Sequence, residues 1–256
     1  MQLDHLARFP FNLDAAALAW VKASFAKLTP DEKISQLFNL RSQGNDPEEL
    51  ARQQRFKPGG LTLHFAPDAS NSGEIIAAFN ASAPVPIIVS GDLEGSRMSL
   101  PFGTEVPNPL ALAAIDDVEA TRRISVIMAR EARAAGMHWS FTPVLDINAA
   151  FRSAIVATRG YGSDVPTIER HALAQLEAFQ AEGIAATLKH WPGEGYDDRD
   201  QHLVTTINPL SMADWEETFG RLYRRAIDAG ALSVMSAHIA LPSFIRALNP
   251  DAGLEA

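Results

Sequence analysis

The most chemically suggestive stretch of the chain is Lys189-His190-Trp191-Pro192-Gly193-Glu194-Gly195-Tyr196-Asp197-Asp198-Arg199-Asp200-Gln201-His202. It starts at the end of an apolar run and continues into a loop dense in glycine and charge. Long loops at strand ends commonly carry binding or catalytic groups. Pro192, Gly193 and Gly195 supply turn chemistry. Asp200 and His202 are two positions apart, and in an extended backbone such residues point to one side. A carboxylate on one imidazole nitrogen orients the ring, favours its protonated form and leaves the other nitrogen for a substrate. That is what a general acid needs. A solvated acidic loop with an incidental histidine has the same spacing, so the pattern alone leaves both readings open. His190, Glu194, Asp197, Asp198, Asp200 and His202 also offer metal ligands. The zincin and calcium-loop spacings are absent, however, and no metal site is expected.

Other candidates fall at the ends of apolar runs. Asp92 and Glu94 follow one, Asp146 and Asn148 end another, Lys189 and His190 a third and His238 a fourth. Gly91-Asp92-Leu93-Glu94-Gly95 has no serine at the elbow of a serine hydrolase, and Gly-x-Ser-x-Gly occurs nowhere else. Asp92 and Glu94 suit sugar hydroxyls instead, because carboxylates accept strong, directional hydrogen bonds. Arg159, in Thr158-Arg159-Gly160-Tyr161-Gly162, offers a fork of donors beside a flexible turn; a surface salt bridge is an arginine's commoner fate.

The elements that must position these groups alternate along the chain. Strands are predicted at Gln36–Leu40, Gly60–Phe65, Pro86–Gly91, His138–Ile147, Ala185–Trp191 and Leu232–Ile239. Several are continuous apolar runs, as expected of parallel strands covered on both faces. Helix starts lie between them. Asp14 leads a helix to Lys27, and Thr29 with Glu32 forms a capping box. Asp116 with Glu119 opens a helix over Val118–Ala135. Asp164 opens one reaching Glu182, and Ser211 with Asp214 opens another. In that last helix Trp215, Phe219, Leu222 and Ala226 share a face. Strand, helix, strand is the parallel α/β signature. The dinucleotide fingerprint and the phosphate loop are missing, which weakens a doubly wound sheet. Polar residues at the C-terminal ends of several strands favour a (β/α)8 TIM-type barrel.

Composition sets outer bounds. The chain has 256 residues, no cysteine and a formal charge of −9. A disulfide scaffold, a cysteine nucleophile and a thiolate metal site are excluded. The acidic balance opposes nucleic-acid binding. No secretory or membrane-spanning segment is visible, so the expected compartment is the cytoplasm, without a membrane partner.

The ordered set of motifs resembles glycoside hydrolase family 3, in its N-terminal barrel domain, from about Leu28 to Phe244. Leu28-Thr29-Pro30-Asp31-Glu32-Lys33-Ile34-Ser35-Gln36-Leu37 is similar to the family's opening. Ser90-Gly91-Asp92-Leu93-Glu94-Gly95-Ser96-Arg97 is similar to its Asp-x-Glu-Gly-x-Arg turn. Ser140-Phe141-Thr142-Pro143-Val144-Leu145-Asp146 and Arg159-Gly160-Tyr161-Gly162 follow in order. The Lys189-His190 segment with its later Asp-x-His is similar to the β-N-acetylhexosaminidase branch. The resemblance implies that His202 is the general acid/base and that Asp200 orients it. It also implies that Asp92, Arg159, Lys189 and His190 grip sugar hydroxyls and that His238 lines the pocket. The substrate is a carbohydrate and no cofactor is used. A histidine departs from the usual carboxylate pair of glycosidases, and a neutral base avoids repelling a second carboxylate. Glu194 stands where the nearest branch leads one to expect histidine, and Leu100 where it leads one to expect arginine.

The family's nucleophile is an aspartate after the seventh strand. Here Ala240–Ala256 holds only Asp251, with no apolar strand before it, and no nucleophile is assigned. The expectation is therefore an α/β barrel incomplete at its C-terminus, with about six of eight strands present. Residues 1–28 form a helical extension and 29–256 the truncated barrel domain. The expected function is retaining hydrolysis of terminal β-linked N-acetylhexosamine from oligosaccharides or cell-wall fragments, with this chain inactive alone. Alternatives are a non-catalytic sugar-binding protein, or a β-glucosidase or phosphorolytic member of the same family.

Overall fold

The computed structural model describes residues 3–42, 46–65 and 72–255, and the chain divides into two compact units. The first comprises Met1–Gly91, Leu100–Phe102 and Ala132–Trp139. A short 3-10 turn at Asp4–Ala7 precedes α1 (Ala15–Lys27), whose N-terminus is capped by the Asp14 carboxylate accepting from Ala17 N. In α2 (Pro30–Ser35) the expected capping box is complete: Thr29 Oγ1 accepts from Glu32 N, and the Glu32 carboxylate accepts from Thr29 N. The helix holds Gln36, whose N–H still donates to Glu32 O. Strand β1 is therefore Asn39–Ser42 and not Gln36–Leu40. Then follow α3 (Pro47–Arg55), β2 (Gly60–Leu63), α4 (Ser72–Ser82) and β3 (Ile88–Gly91). The three strands are parallel, with Asn39 opposite Gly60 and Gly60 opposite Ile88. Asn39 Nδ2 donates to Thr62 Oγ1 and Ser90 Oγ, tying all three together.

The second unit comprises Asp92–Ser99, Gly103–Glu131 and Ser140–Ala256. Helix α5 (Pro109–Ile115) ends on Asp116 in the left-handed conformation, φ 54°. Asp116 is thus a C-terminal cap and not the expected start of α6 (Val118–Ala134). Asp117 takes that role, its carboxylate accepting from Glu119 N and Ala120 N.

The predicted strand His138–Ile147 contracts to β4 (Trp139–Ser140). Pro143 has no N–H to give a ladder, yet the segment still runs beside β5 (Ala185–Trp191). Thr187 N donates to Thr142 O at 2.8 Å, and Leu145 N to Lys189 O at 2.7 Å. Between them lies α7 (Val165–Ala181), capped by Asp164 as expected. Strand β5 pairs in parallel with β7 (Ser233–Ser236), and β6 (Thr206–Ile207) pairs with β8 (Ile239–Ala240). The single strand predicted over Leu232–Ile239 is thus broken. Ala237 N turns to Trp191 O, and His238 N donates to the Gln201 side chain. Helices α8 (Met212–Trp215) and α9 (Arg221–Asp228) are joined by a π turn at Glu216–Gly220, and α10 (Pro242–Leu248) follows β8. In the first unit β1, β2 and β3 neighbour one another in chain order, and in the second β5 pairs in parallel with β7. A helix follows almost every strand, as an α/β barrel repeat requires. No described helix is long and apolar enough to cross a membrane.

The second unit's core packs α7 against β5 and α9. Ile168, Ala172 and Leu176 form one buried stripe of α7, against Ala186 and Leu188 of β5 and Leu222, Tyr223 and Ala226 of α9. Trp215 and Phe219 join them, so the face predicted from spacing is the buried one. Phe219 also fills the space beneath Gly193, where an added Cβ would lie 2.4 Å from its ring. Phe219→Ala is expected to cost about 3–5 kcal/mol in urea unfolding, because it removes a fully buried ring. A cost below about 1 kcal/mol would show that the site collapses around the gap.

Candidate active site

Within the second unit, three linked groups of side chains form the site. The first is built on Lys189, near the end of β5 and only 1% exposed. Its ammonium lies 2.7 Å from Asp92 Oδ1 and 2.5 Å from Glu94 Oε1. Arg159, in a 3-10 turn at Ala157–Arg159, sets a two-pronged fork on Glu94. Its Nε donates to Oε2 and its Nη2 to Oε1, both at 2.7 Å. Two cations thus face two carboxylates. Burial pushes the Glu94 carboxyl up, but the Arg159 hydrogen bonds and the charges of Lys189 and Arg159 outweigh it and hold it at about 2. Glu94 therefore lines the cavity with its carboxylate already bonded to Arg159 and paired with Lys189. Asp92, about one-third exposed, faces the cavity.

The second group lies beneath the first. Asp146 is buried and takes part in three hydrogen bonds with two residues. Its Oδ1 accepts from His190 N at 3.1 Å and from Glu194 N at 2.9 Å, and its Oδ2 lies 2.5 Å from His190 Nδ1. Burial raises the Asp146 carboxyl, and His190 with the two backbone N–H groups more than reverses that. With Nδ1 turned to Asp146, His190 Nε2 lies 3.5 Å from Arg159 Nη2. Glu194 is the contrary case. Burial, followed by the negative charge of Asp146, raises its carboxyl to about 8, so it is mostly protonated at neutral pH. Its Oε2 accepts from Gln201 Nε2 at 2.6 Å, while its buried Oε1 has no hydrogen-bond partner among the described residues. Asp146, His190 and Glu194 place potential ligand atoms within 4.8 Å of one another. Asp146 and His190 are already joined by a direct hydrogen bond, which a shared ion would have to open.

The third group is the Asp200–His202 pair. Asp200 Oδ1 lies 2.7 Å from His202 Nδ1 and also accepts from His202 N at 2.8 Å. The expected pairing is present but its backbone is not extended. It is a turn, in which Leu203 N and Val204 N donate to Asp200 O. The His202 ring is 64% exposed, with its Nε2 not used by Asp200. The hydrogen bonds from His202 hold the Asp200 carboxyl below its ordinary value.

A cavity of about 510 Å³ collects Asp92, Arg159, Lys189, His190, His202 and His238. That volume suits a small polar ligand. Asp200 stands behind His202 and does not line it. Asp251 lies in an exposed turn after α10 and does not line it either. The loop is shaped by Gly195, at φ +108°, where a Cβ would lie 2.0 Å from Ile147 O. The sequence reading named Asp146 only as a polar strand end and passed over Gln201. Gln201 sits in an irregular loop, where no periodicity marks an inward-facing side chain, so the sequence held no signal for it.

Comparison with known proteins follows the same lines. Residues 29–250 match the family described as glycosyl hydrolase family 3 N terminal domain. A β-N-acetylglucosaminidase/β-glucosidase of Cellulomonas fimi is 40% identical over 247 residues, covering 96% of this chain and 44% of that protein. A β-hexosaminidase of Nitrosomonas eutropha is 30% identical over 178 residues, covering 66% and 51%. The chain thus spans about half the length of these relatives. Among solved structures, a β-glucoside phosphorylase, BglX, bound to 2FGlc is 32% identical with a TM-score of 0.89, covering 99% of this chain and 46% of that one. A glycoside hydrolase family 3 β-N-acetylglucosaminidase from Paenibacillus sp. is 29% identical with a TM-score of 0.78, covering 84% and 43%.

The raised Glu194 carboxyl has a signed consequence. Its stabilising contribution is full below about pH 4.5 and is lost as pH rises toward about 8. Glu194→Gln, which keeps the shape without the charge, is expected to flatten this loss. Its Tm should fall less than the wild type's between about pH 5 and pH 8.5 in thermal melts. Parallel curves would show that Glu194 does not titrate there.

Proposed function

We propose a carbohydrate-processing role from one premise: the chain belongs to glycosyl hydrolase family 3, whose N-terminal domain it matches over residues 29–250. It supplies the sugar grip and the acid/base of a retaining β-N-acetylhexosaminidase. The observation that carries this is the Asp200–His202 pair at the mouth of a cavity floored by the Lys189 ion network. Asp92 accepts from sugar hydroxyls. Lys189, Arg159 and His190 hold its surroundings rigid and donate, and His238 completes the wall. The His202 ring, oriented through Nδ1 by Asp200, presents Nε2 to the glycosidic oxygen. It gives a proton to the leaving group and later takes one from water.

The step between needs a carboxylate on the opposite face of the sugar ring. Both carboxylates lining the cavity, Asp92 and Glu94, are held by Lys189. No residue of this chain is assigned as nucleophile, and the described segment binds sugar without turning it over. Titration with N-acetylglucosamine tests the grip. Saturable binding is expected, weakened at least tenfold by Asp92→Ala and unchanged by the remote Asp251→Asn. Hydrolysis of an aryl N-acetyl-β-glucosaminide by this chain, abolished by His202→Ala, would overturn the missing nucleophile. No binding at all would overturn the sugar grip.

A second reading is favoured by the likeness to the β-glucoside phosphorylase, whose fold covers 99% of this chain. A histidine carries no negative charge, so it does not repel an incoming phosphate as a carboxylate would. Where a longer form of this protein turns over a β-glucoside, rates with and without phosphate distinguish the two. Acceleration by phosphate with a sugar phosphate as product favours phosphorolysis.

A further inference from the structure

We infer that Gln201 is a positioning residue: its side-chain amide fixes the acid/base loop to the end of β7 and to Glu194, and so sets where His202 stands over the cavity. This deepens the proposed function and rests on it for the role of His202.

The geometry is a bridge. Gln201 is 5% exposed, between the half-buried Asp200 and the exposed His202. Its Nε2 donates to Glu194 Oε2 at 2.6 Å. Its Oε1 accepts from His238 N at 3.1 Å. One amide therefore uses a donor and an acceptor in opposite directions, onto two points that other bonds hold in place. Glu194 is fixed because its own N–H donates to Asp146 Oδ1. His238 is fixed on its chain neighbour's side, where Ala237 N donates to Trp191 O. Asp200 and His202 bond to each other within their turn, but nothing in that pair determines where the turn sits. Gln201 does.

The residue type follows from the two jobs. A carboxylate at 201 would set a further negative charge beside Glu194 and Asp146, and an aliphatic chain serves neither end. Loss of the amide takes a partner from the His238 N–H and from the buried Glu194 carboxyl, and at Glu194 that loss is costly because it falls in the interior. The least costly relief is for the loop to move outward and admit water. His202 and His238, which line the same cavity, are then no longer held at opposite ends of one side chain.

Amide exchange by NMR on the full chain tests this. In the wild type, the Gln201 side-chain amide protons should exchange slowly, and the His238 amide should be protected. Gln201→Met, of similar length but without polar atoms, should raise exchange at His238 and His202 at least tenfold. Amides of α7 should be unaffected. The swapped pair Glu194→Gln with Gln201→Glu restores a donor at 194 and an acceptor at 201, and should recover most of the protection. Saturating N-acetylglucosamine should shift the His202 ring signals in the wild type and in the swap, and less than half as far in Gln201→Met. Unchanged His238 exchange in Gln201→Met would overturn the proposal. If that variant does not fold, the wild type decides alone, since a rapidly exchanging Gln201 side-chain amide would also overturn it. A protected bridge with no His202 response to sugar in the wild type would uphold the anchor and sink the catalytic reading of His202 instead.

Discussion

The second unit is organised around a single demand: a lysine ammonium has been taken out of water. Removing an ion from solvent costs several kcal/mol even after relaxation, and only close, well-directed opposite charge offsets it. Lys189 meets that demand with Asp92 and Glu94. Glu94, itself almost fully buried, needs more than one cation, and Arg159 supplies the second through two parallel hydrogen bonds. Three chain segments distant in sequence are thereby fixed to one another: the turn after β3, the 3-10 turn before α7 and the end of β5. The cavity floor is assembled before any ligand arrives. Asp92 is the most exposed member of this network, followed by Arg159, so it is the member whose hydrogen bonding a ligand can change at least cost.

A second layer carries this rigidity outward. Asp146 receives two backbone N–H groups and one imidazole, which fixes His190 and the start of the long loop together. Two carboxyls so close cannot both be charged cheaply, and the burden falls on Glu194, which has fewer donors around it. Environment thus gives two chemically similar side chains opposite protonation states. The protonated one then stands where the acid/base loop returns to the body of the unit.

Much of this was legible in the sequence. Thr29 with Glu32, Asp14, Asp164 and Ser211 each cap the helix that their spacing indicated, because capping is a local bargain between neighbours. The buried face of Trp215, Phe219, Leu222 and Ala226 followed from helical period, and survived the π turn inserted between them. The cluster at the ends of β5 and β7 followed from strand ends. What escaped was set by partners remote in sequence. The strand over Leu232–Ile239 is broken by a glutamine side chain from residue 201. The pairing of Glu94 with Arg159, 65 residues away, had no local signal either. Asp116 yielded to Asp117 because the preceding helix claimed it first. In the loop, no periodicity distinguishes an inward side chain from an outward one, so Gln201 carried no pattern of its own.

Strands β5 and β7 differ in how far they are buried. Strand β5 is covered on both faces, whereas β7 leaves Val234 45% exposed and buries none of its four residues fully. Fraying of a strand becomes easy when few apolar contacts resist it, and the strand that resists least leads directly into His238. The two walls of the cavity thus differ in what holds them: Lys189 stands on a strand buried along most of its length, and His238 follows one with little apolar cover.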